Sequence, residues 1–172
     1  ALYGLMQHYR LPTRLLDWTQ SPLVAAFFAV DVDEEQGKPA SLWALSPGKL
    51  NKNQTGHELL YVPEDYYPWK QIQAAFGRIT LEKFIVAIAP AEIDIRMMTQ
   101  LSVFTVHGTH IALESMQDRG QFLTEFRIPP SAKEGLRKEL HRFSVRESHL
   151  YPDLEHLAKE LRRTEFGYPD RP

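Results

Sequence analysis

The chain has 172 residues, 43% hydrophobic, 11% aromatic and 24% charged. That composition is ordinary for one globular domain, excludes disorder, collagen-like repeats and low complexity, and leaves little room for a second core. Lys and Arg number 20 against 22 Asp and Glu, a formal net charge of -2, which argues against a protein that grips nucleic-acid backbone through global positive charge.

The chain opens as Ala1-Leu2-Tyr3, without an initiator Met, a basic leader or a signal-type apolar core, and reads as part of something longer. The first helix signal is Ser21-Pro22, where Ser caps free amides and Pro suits the first turn. Leu23, Ala26, Phe27 and Val30 then recur at helical spacing, while Val24, Ala25 and Phe28 make the other faces apolar, so the helix is expected to be buried. Asp31 to Gly37 end it in a polar turn. Ala40 to Ser46 reads as a core strand and Pro47 to Gln54 as an exposed loop. Tyr66, Tyr67, Trp69, Ile72 and Phe76 suggest a short helix or an aromatic loop, and Lys83 to Ala89 reads as a strand closed by Pro90.

Val103 to Val106 and Gln121 to Ile128 are further strand candidates, with His110 to Gln117 helical between them. Ser131-Ala132-Lys133-Glu134 fits a capping box that opens a helix carrying Leu136, Leu140 and Phe143 on one face. A second amphipathic helix carries Leu150, Leu154, Leu157, Ala158 and Leu161 on its apolar side, and Leu154, Leu157 and Leu161 are expected to dock it. Residues 165–172 read as a frayed tail. Strands and helices without strict alternation predict an α+β domain with a small central sheet and flanking helices.

With no cysteine there is no disulfide framework and no thiolate metal site. No apolar run reaches the ~20 residues of a bilayer span, so no membrane partner is expected, and a reducing cytoplasm fits. The nine glycines never fall two apart, which removes a dinucleotide-binding Gly-x-Gly-x-x-Gly loop, and neither a Walker A loop nor a Gly-x-Ser-x-Gly elbow occurs. His107, His110 and Glu114 form a weak zinc pattern, and no metal is expected there. Lys133, Arg137, Lys138, His141, Arg142 and Arg146 gather late in the chain, but Glu134, Glu139 and Glu147 interleave with them at ion-pair spacing, which favours a solvated face over a nucleic-acid surface.

The densest polar cluster runs from Gln7 to Ser21 (QHYRLPTRLLDWTQS), with His8, Thr13, Arg14, Asp17, Thr19 and Ser21 set between apolar residues just before the buried helix. Two readings stand side by side. The helix N-terminus is a place to hold phosphate or carboxylate, and equally Asp17 and Arg14 are an ion pair in a structural network.

At this cluster the sequence resembles the FRG domain, a bacterial family named for a Phe-Arg-Gly tripeptide. Met6-Gln7-His8-Tyr9, Leu11 to Thr19, Ser21-Pro22-Leu23 and Phe28-Ala29 are similar to its main motif. Arg96, Gln100, Phe104 and Thr105 (RMMTQLSVFT) resemble a second motif, and Leu150 to Leu154 (LYPDL) a third, so that residues 1–164 are expected to form the FRG-type domain. Arg10 and Ser102 stand where the family commonly has Gly. No Phe-Arg-Gly tripeptide occurs; in the family it lies upstream of the Gln7 motif, which agrees with a chain that belongs to something longer.

The resemblance implies a nucleotide-related enzyme or binder, with bacterial defence against phage or a toxin system as its setting. By analogy with ADP-ribosyltransferase folds, Thr19-Gln20-Ser21 with Ala25 and Phe28 stand for the serine motif, and NAD is the cofactor implied. His8, Arg14 and Asp17 would be catalytic, and Thr19, Ser21, Arg96 and Gln100 would hold the cofactor. Arg14 would take phosphate, the hydroxyls of Thr19 and Ser21 the ribose, and Arg14 and Arg96 would border one cleft with Gln100 and Ser21. Where such enzymes carry a catalytic Glu the segment has Arg96 and Gln100; Glu92 and Asp94, alternating with Ile93 and Ile95, either share a strand face or are plain solvent-side residues. The alternative is a non-catalytic domain for a protein or nucleic-acid partner, in which the same residues build a buried network.

Overall fold

The computed structural model describes residues 13–31, 37–75, 77, 82–89 and 94–164. The architecture is α+β, with small antiparallel sheets and short helices. The chain divides into two compact units, residues 1–20, 43–92 and 102–126 in one, and 21–42, 93–101 and 127–172 in the other. Each has its own cluster of buried side chains, where length alone led us to expect a single core.

The first unit holds a three-stranded sheet in the order β1-β4-β3, from β1 (Leu15–Thr19), β3 (Ile85–Ile88) and β4 (Ser102–His107), with antiparallel neighbours. Strand β3 is the expected Lys83 to Ala89 strand trimmed to IVAI, buried at all four positions. Pro47 to Gln54, expected as a loop, is instead part of α2 (Pro47–Thr55). Its Gly and Asn residues are weak helix formers, and tertiary anchors override them. Leu50 is fully buried among Ile85, Ala87 and Leu113, and Asn51 reaches the edge of β3. Gly56, left-handed at φ 81°, closes the helix.

Helix α3 (Tyr66–Ala75) resolves the aromatic segment as a helix; Phe76 lies outside the described residues. Of the helix expected over His110 to Gln117, only a 3-10 turn at Leu113–Ser115 forms. The expected Gln121 to Ile128 strand begins at β5 (Leu123–Ile128), after a second 3-10 turn at Arg119–Gln121. Strand β5 pairs with β2 (Ala40–Leu45), and the unit boundary cuts both strands, after Leu42 and after Phe126.

In the second unit, α1 (Pro22–Val30) is the predicted helix, capped by Ser21 and buried along one face at Val24, Ala26, Phe27 and Val30, while Leu23 and Phe28, expected inside, are exposed. It packs with α5 (Pro130–Arg142) around Leu140 and Leu150. The predicted capping box is not formed. Helix α5 starts two residues early because Pro129 is extended and Pro130 supplies the first turn, and Glu134 pairs instead with Lys138 at 3.4 Å and Arg137 at 3.9 Å. Phe143 falls at the end of the helix and is exposed.

The second amphipathic helix is split in two. Helix α6 (Glu147–Leu150) stops before Pro152, and Asp153 restarts the chain as α7 (Leu154–Thr164), accepting the His156 amide at 2.9 Å. The expected docking of its leucines is overturned. Leu154 is 83% exposed, with Leu157 and Leu161 also exposed. The inward side carries polar groups whose partners outweigh the stripe: Lys159 bonds Glu147 at 2.8 Å, Glu160 takes the Ser148 amide at 3.1 Å, and His156 stacks on Tyr151. Among the described residues no helix is long and apolar enough to cross a membrane.

Candidate functional site

The candidate residues fall in both units. In the first, β1 carries Arg14 just before it and Asp17 and Thr19 within it. The strand exists because β4 supplies its ladder: Asp17 opposes Phe104, Leu16 opposes Thr105 and Thr19 opposes Ser102, which sets the first motif beside the second. Alternation places Asp17 and Thr19 on one face and Trp18 on the other, where Trp18 packs against the core cluster of the unit.

Arg14 is bound to the last residue of β4. Its carbonyl accepts the His107 amide at 2.9 Å, and its guanidinium donates to the His107 carbonyl at 3.4 Å. Across the Trp18 face runs a chain of side-chain bonds. Trp18 Nε1 donates to Thr105 Oγ1 at 3.1 Å, and Thr105 Oγ1 lies 2.8 Å from His107 Nε2. An indole N–H only donates, and a hydroxyl donates once and accepts twice, so Thr105 either donates to Nε2 of a ring protonated on Nδ1 or accepts from a ring protonated on Nε2. Burial pushes the His107 pKa down and favours the neutral ring.

His107 is therefore occupied by the sheet. Gly108 follows because backbone must pass close there: its amide donates to Phe84 O at 2.8 Å, and a Cβ would run into the Glu82 carbonyl and the Gln71 amide. Among the described residues no three metal-ligating side chains gather.

In the second unit, Ser21 Oγ accepts the Val24 amide at 3.3 Å as the cap of α1. Helix α4 (Ile95–Gln100) carries Arg96 and Gln100. Asp94 does not sit on a strand with Ile95, as alternation suggested; its carboxylate accepts the Met97 amide at 2.7 Å and caps α4. The helix ends at Leu101, left-handed at φ 49°, so the turn that glycine commonly serves falls one residue before Ser102.

Arg96 and Gln100 face the third motif. The Arg96 guanidinium lies 4.5 Å from the Tyr151 ring centre, and Gln100 Nε2 donates to Leu150 O at 3.0 Å, joined there by Thr99 Oγ1 at 3.2 Å. Phe28, at the end of the first motif, meets the same Tyr151 ring edge to face at 6.3 Å, and His156 stacks on it at 4.4 Å. Three motifs thus converge on Tyr151. Sequence reasoning named Arg96 and Gln100 but overlooked His156, whose signal is the Asp153-to-His156 spacing at a helix start; its Nδ1 lies 2.8 Å from the carboxylate. His8 and Glu92 lie outside the described residues.

The FRG domain family model matches residues 1–38, which bears out the resemblance over that stretch. It spans His8, Arg14, Asp17, Thr19 and Ser21; Arg96, Gln100 and the LYPDL stretch lie beyond it. No curated protein and no solved structure matches the chain.

Proposed function

We propose that this FRG-type domain is a non-catalytic interaction module that binds an apolar groove on a partner protein through α7, with its motif residues serving as scaffold. The observation that carries this reading is the outward stripe of Leu154, Leu157 and Leu161. Fully burying an exposed leucine is worth about 1.5–3 kcal/mol, and a helix that leaves Leu154 83% exposed and Leu157 and Leu161 partly so, while its polar side is engaged, gains a share of that energy at each against another surface. Spacings of three and four residues are those of helix-in-groove recognition. In a bacterial defence or toxin system, such a module would join an effector to its partner.

The scaffold role is supported by how the motif side chains are used. A nucleotide site would need Ser21, Arg96 and Gln100 turned to a ligand, yet Ser21 caps α1, Arg96 covers Tyr151 and Gln100 holds the Leu150 carbonyl. Asp94, one of the two carboxylates considered for the transferase analogy, is a helix cap.

The test has two arms on the intact chain. A photoreactive residue at Ala158, on the stripe side, should give a discrete partner adduct in bacterial cells that Leu154→Ser/Leu157→Ser/Leu161→Ser removes, while the same residue at exposed Lys138 should not. Identical adduct patterns at both positions, or an adduct with a second copy of the chain alone, would overturn the partner reading. Calorimetry with NAD, ADP-ribose and nucleoside phosphates should show no heat. Nicotinamide release that Arg14→Lys abolishes at unchanged thermal midpoint would restore the transferase reading.

A further inference from the structure

A cavity of about 190 Å³ opens within the second unit, between the end of α1, α5 and the turn into α6. Its floor is apolar, made by Phe27, Val30, Leu140 and Val145. Its rim carries Arg137, His141 and Arg146, together with the carboxylates of Asp31, Glu147 and Glu160. None of these residues belongs to the motif network or to the outward stripe of α7.

The rim charges differ in what the fold leaves for a ligand. The three carboxylates are engaged: Asp31 has partners of its own, Glu147 takes Lys159 at 2.8 Å, and Glu160 takes the Ser148 amide at 3.1 Å. Glu160 is held below the usual carboxylate range by that amide and by Arg146, against the opposing effect of its burial. On the donor side Arg146 keeps a group unmet. Arg146 reaches Glu160 only at 3.6 Å, beyond hydrogen-bond length, and its Nε is buried without an acceptor. The exposed His141 ring makes no hydrogen bond or ion pair among the described residues. An apolar floor beside an unmet guanidinium group and an open imidazole calls for a molecule with an apolar body and an acceptor head.

We infer that this cavity binds a small organic monocarboxylate, with its hydrocarbon or aryl part on Phe27, Val30, Leu140 and Val145 and its carboxylate on Arg146 and His141. A planar carboxylate matches the guanidinium fork. A phosphate dianion would meet stronger repulsion from Asp31, Glu147 and Glu160, and an amine would find those carboxylates already taken.

The probes are 3-phenylpropionate, 3-phenylpropanol and 3-phenylpropylamine, which share one body and differ in the head. Titrated into the intact chain at pH 7 and followed by methyl NMR, the acid should shift Val30, Leu140 and Val145 saturably, with the alcohol and amine weaker by about tenfold or more. Arg146→Gln should weaken the acid about tenfold without affecting the alcohol. Should that variant unfold, His141→Gln decides, since this exposed ring holds nothing in the fold; it should weaken the acid several-fold. Equal binding of amine and acid, shifts confined to residues outside the cavity, or an acid affinity untouched by His141→Gln and Arg146→Gln alike would overturn the assignment.

Discussion

Arg96 lies with its guanidinium carbon 4.5 Å from the centre of the Tyr151 ring, so an arginine of the second motif is satisfied by an aromatic ring of the third. The pair joins α4 to the break between α6 and α7, and Tyr151 also takes the edge of Phe28 and the stacked ring of His156. A cation over a half-buried ring is worth about 0.5–2 kcal/mol. Arg96→Ala should lower stability by that amount, and Arg96→Lys by less, since Lys keeps the charge and loses the planar stack. A double-mutant cycle with Tyr151→Leu should give a coupling of about 0.5–1 kcal/mol; additive effects would show that the two residues act apart.

The fully buried Thr105 hydroxyl is the hinge of the bond chain from Trp18 to His107. Thr105→Val preserves shape while removing both bonds, which leaves an indole N–H and a ring nitrogen unpaired. The expected loss is about 2–3 kcal/mol. Nitrogen NMR of the folded protein should find His107 neutral; a proton on Nδ1 would show that Thr105 donates to the ring, and one on Nε2 that it accepts from it.

His107 also sets an acid limit. Its folded pKa is lowered by burial, so the unfolded chain takes up the proton first as pH falls. Its contribution is complete above the ordinary value near 6.5 and shrinks as pH drops from there toward the folded pKa. Thermal midpoints between pH 8 and pH 5 should fall more steeply for the native chain than for His107→Gln. Parallel curves would mean that other groups carry the acid sensitivity.

Asn51 is fully buried on α2 and behaves as a short piece of strand. Its side chain donates to Ala87 O at 2.9 Å and Leu59 O at 2.6 Å, and accepts from Ala87 N at 2.7 Å. Asn51→Leu orphans backbone groups on the edge of β3 and should cost about 3 kcal/mol or more. The neighbouring Lys52, in an exposed pair with Glu58 at 3.0 Å, should be replaceable by Ala with no measurable shift in the denaturant midpoint.

The contrast between these neighbours shows what the sequence could reveal. Helix α1 was legible because its start signal is local and its residues are apolar all round. Helix α2 was not, because the bond that holds Asn51 reaches 36 residues along the chain to Ala87, and no local pattern carries it. Strand β1 was read as a polar cluster, since Leu15 and Leu16 break the alternation that marks a half-buried strand. Of the candidate site, the resemblance supplied Arg96 and Gln100 but not their partners; that Gln100 would hold the carbonyl of Leu150 depends on the fold bringing α4 to α6. Periodicity identified the leucine stripe of α7 correctly and said nothing of the direction it faces.

That direction gives the sharpest comparison, because Phe27 and Leu154 were both expected to hold helices on the fold. Phe27 is 8% exposed, within the cluster of Val24, Val30, Leu140 and Leu150, and Phe27→Ala should cost about 3–5 kcal/mol through lost burial and a residual cavity. Leu154, 83% exposed, makes no comparable contribution, and Leu154→Ala should change stability by less than about 0.5 kcal/mol. The attachment of α7 should instead respond to its polar side. Lys159→Met removes the 2.8 Å bond to Glu147 and leaves a shielded carboxylate short of a partner, so it should lower the midpoint more than Leu154→Ala does. Urea midpoints for the three variants, with proteolysis in the 151–164 segment as a local readout, decide the matter. A Leu154→Ala loss as large as that of Phe27→Ala would mean that the leucine stripe packs inward in solution, and the interaction face proposed for α7 would fall with it.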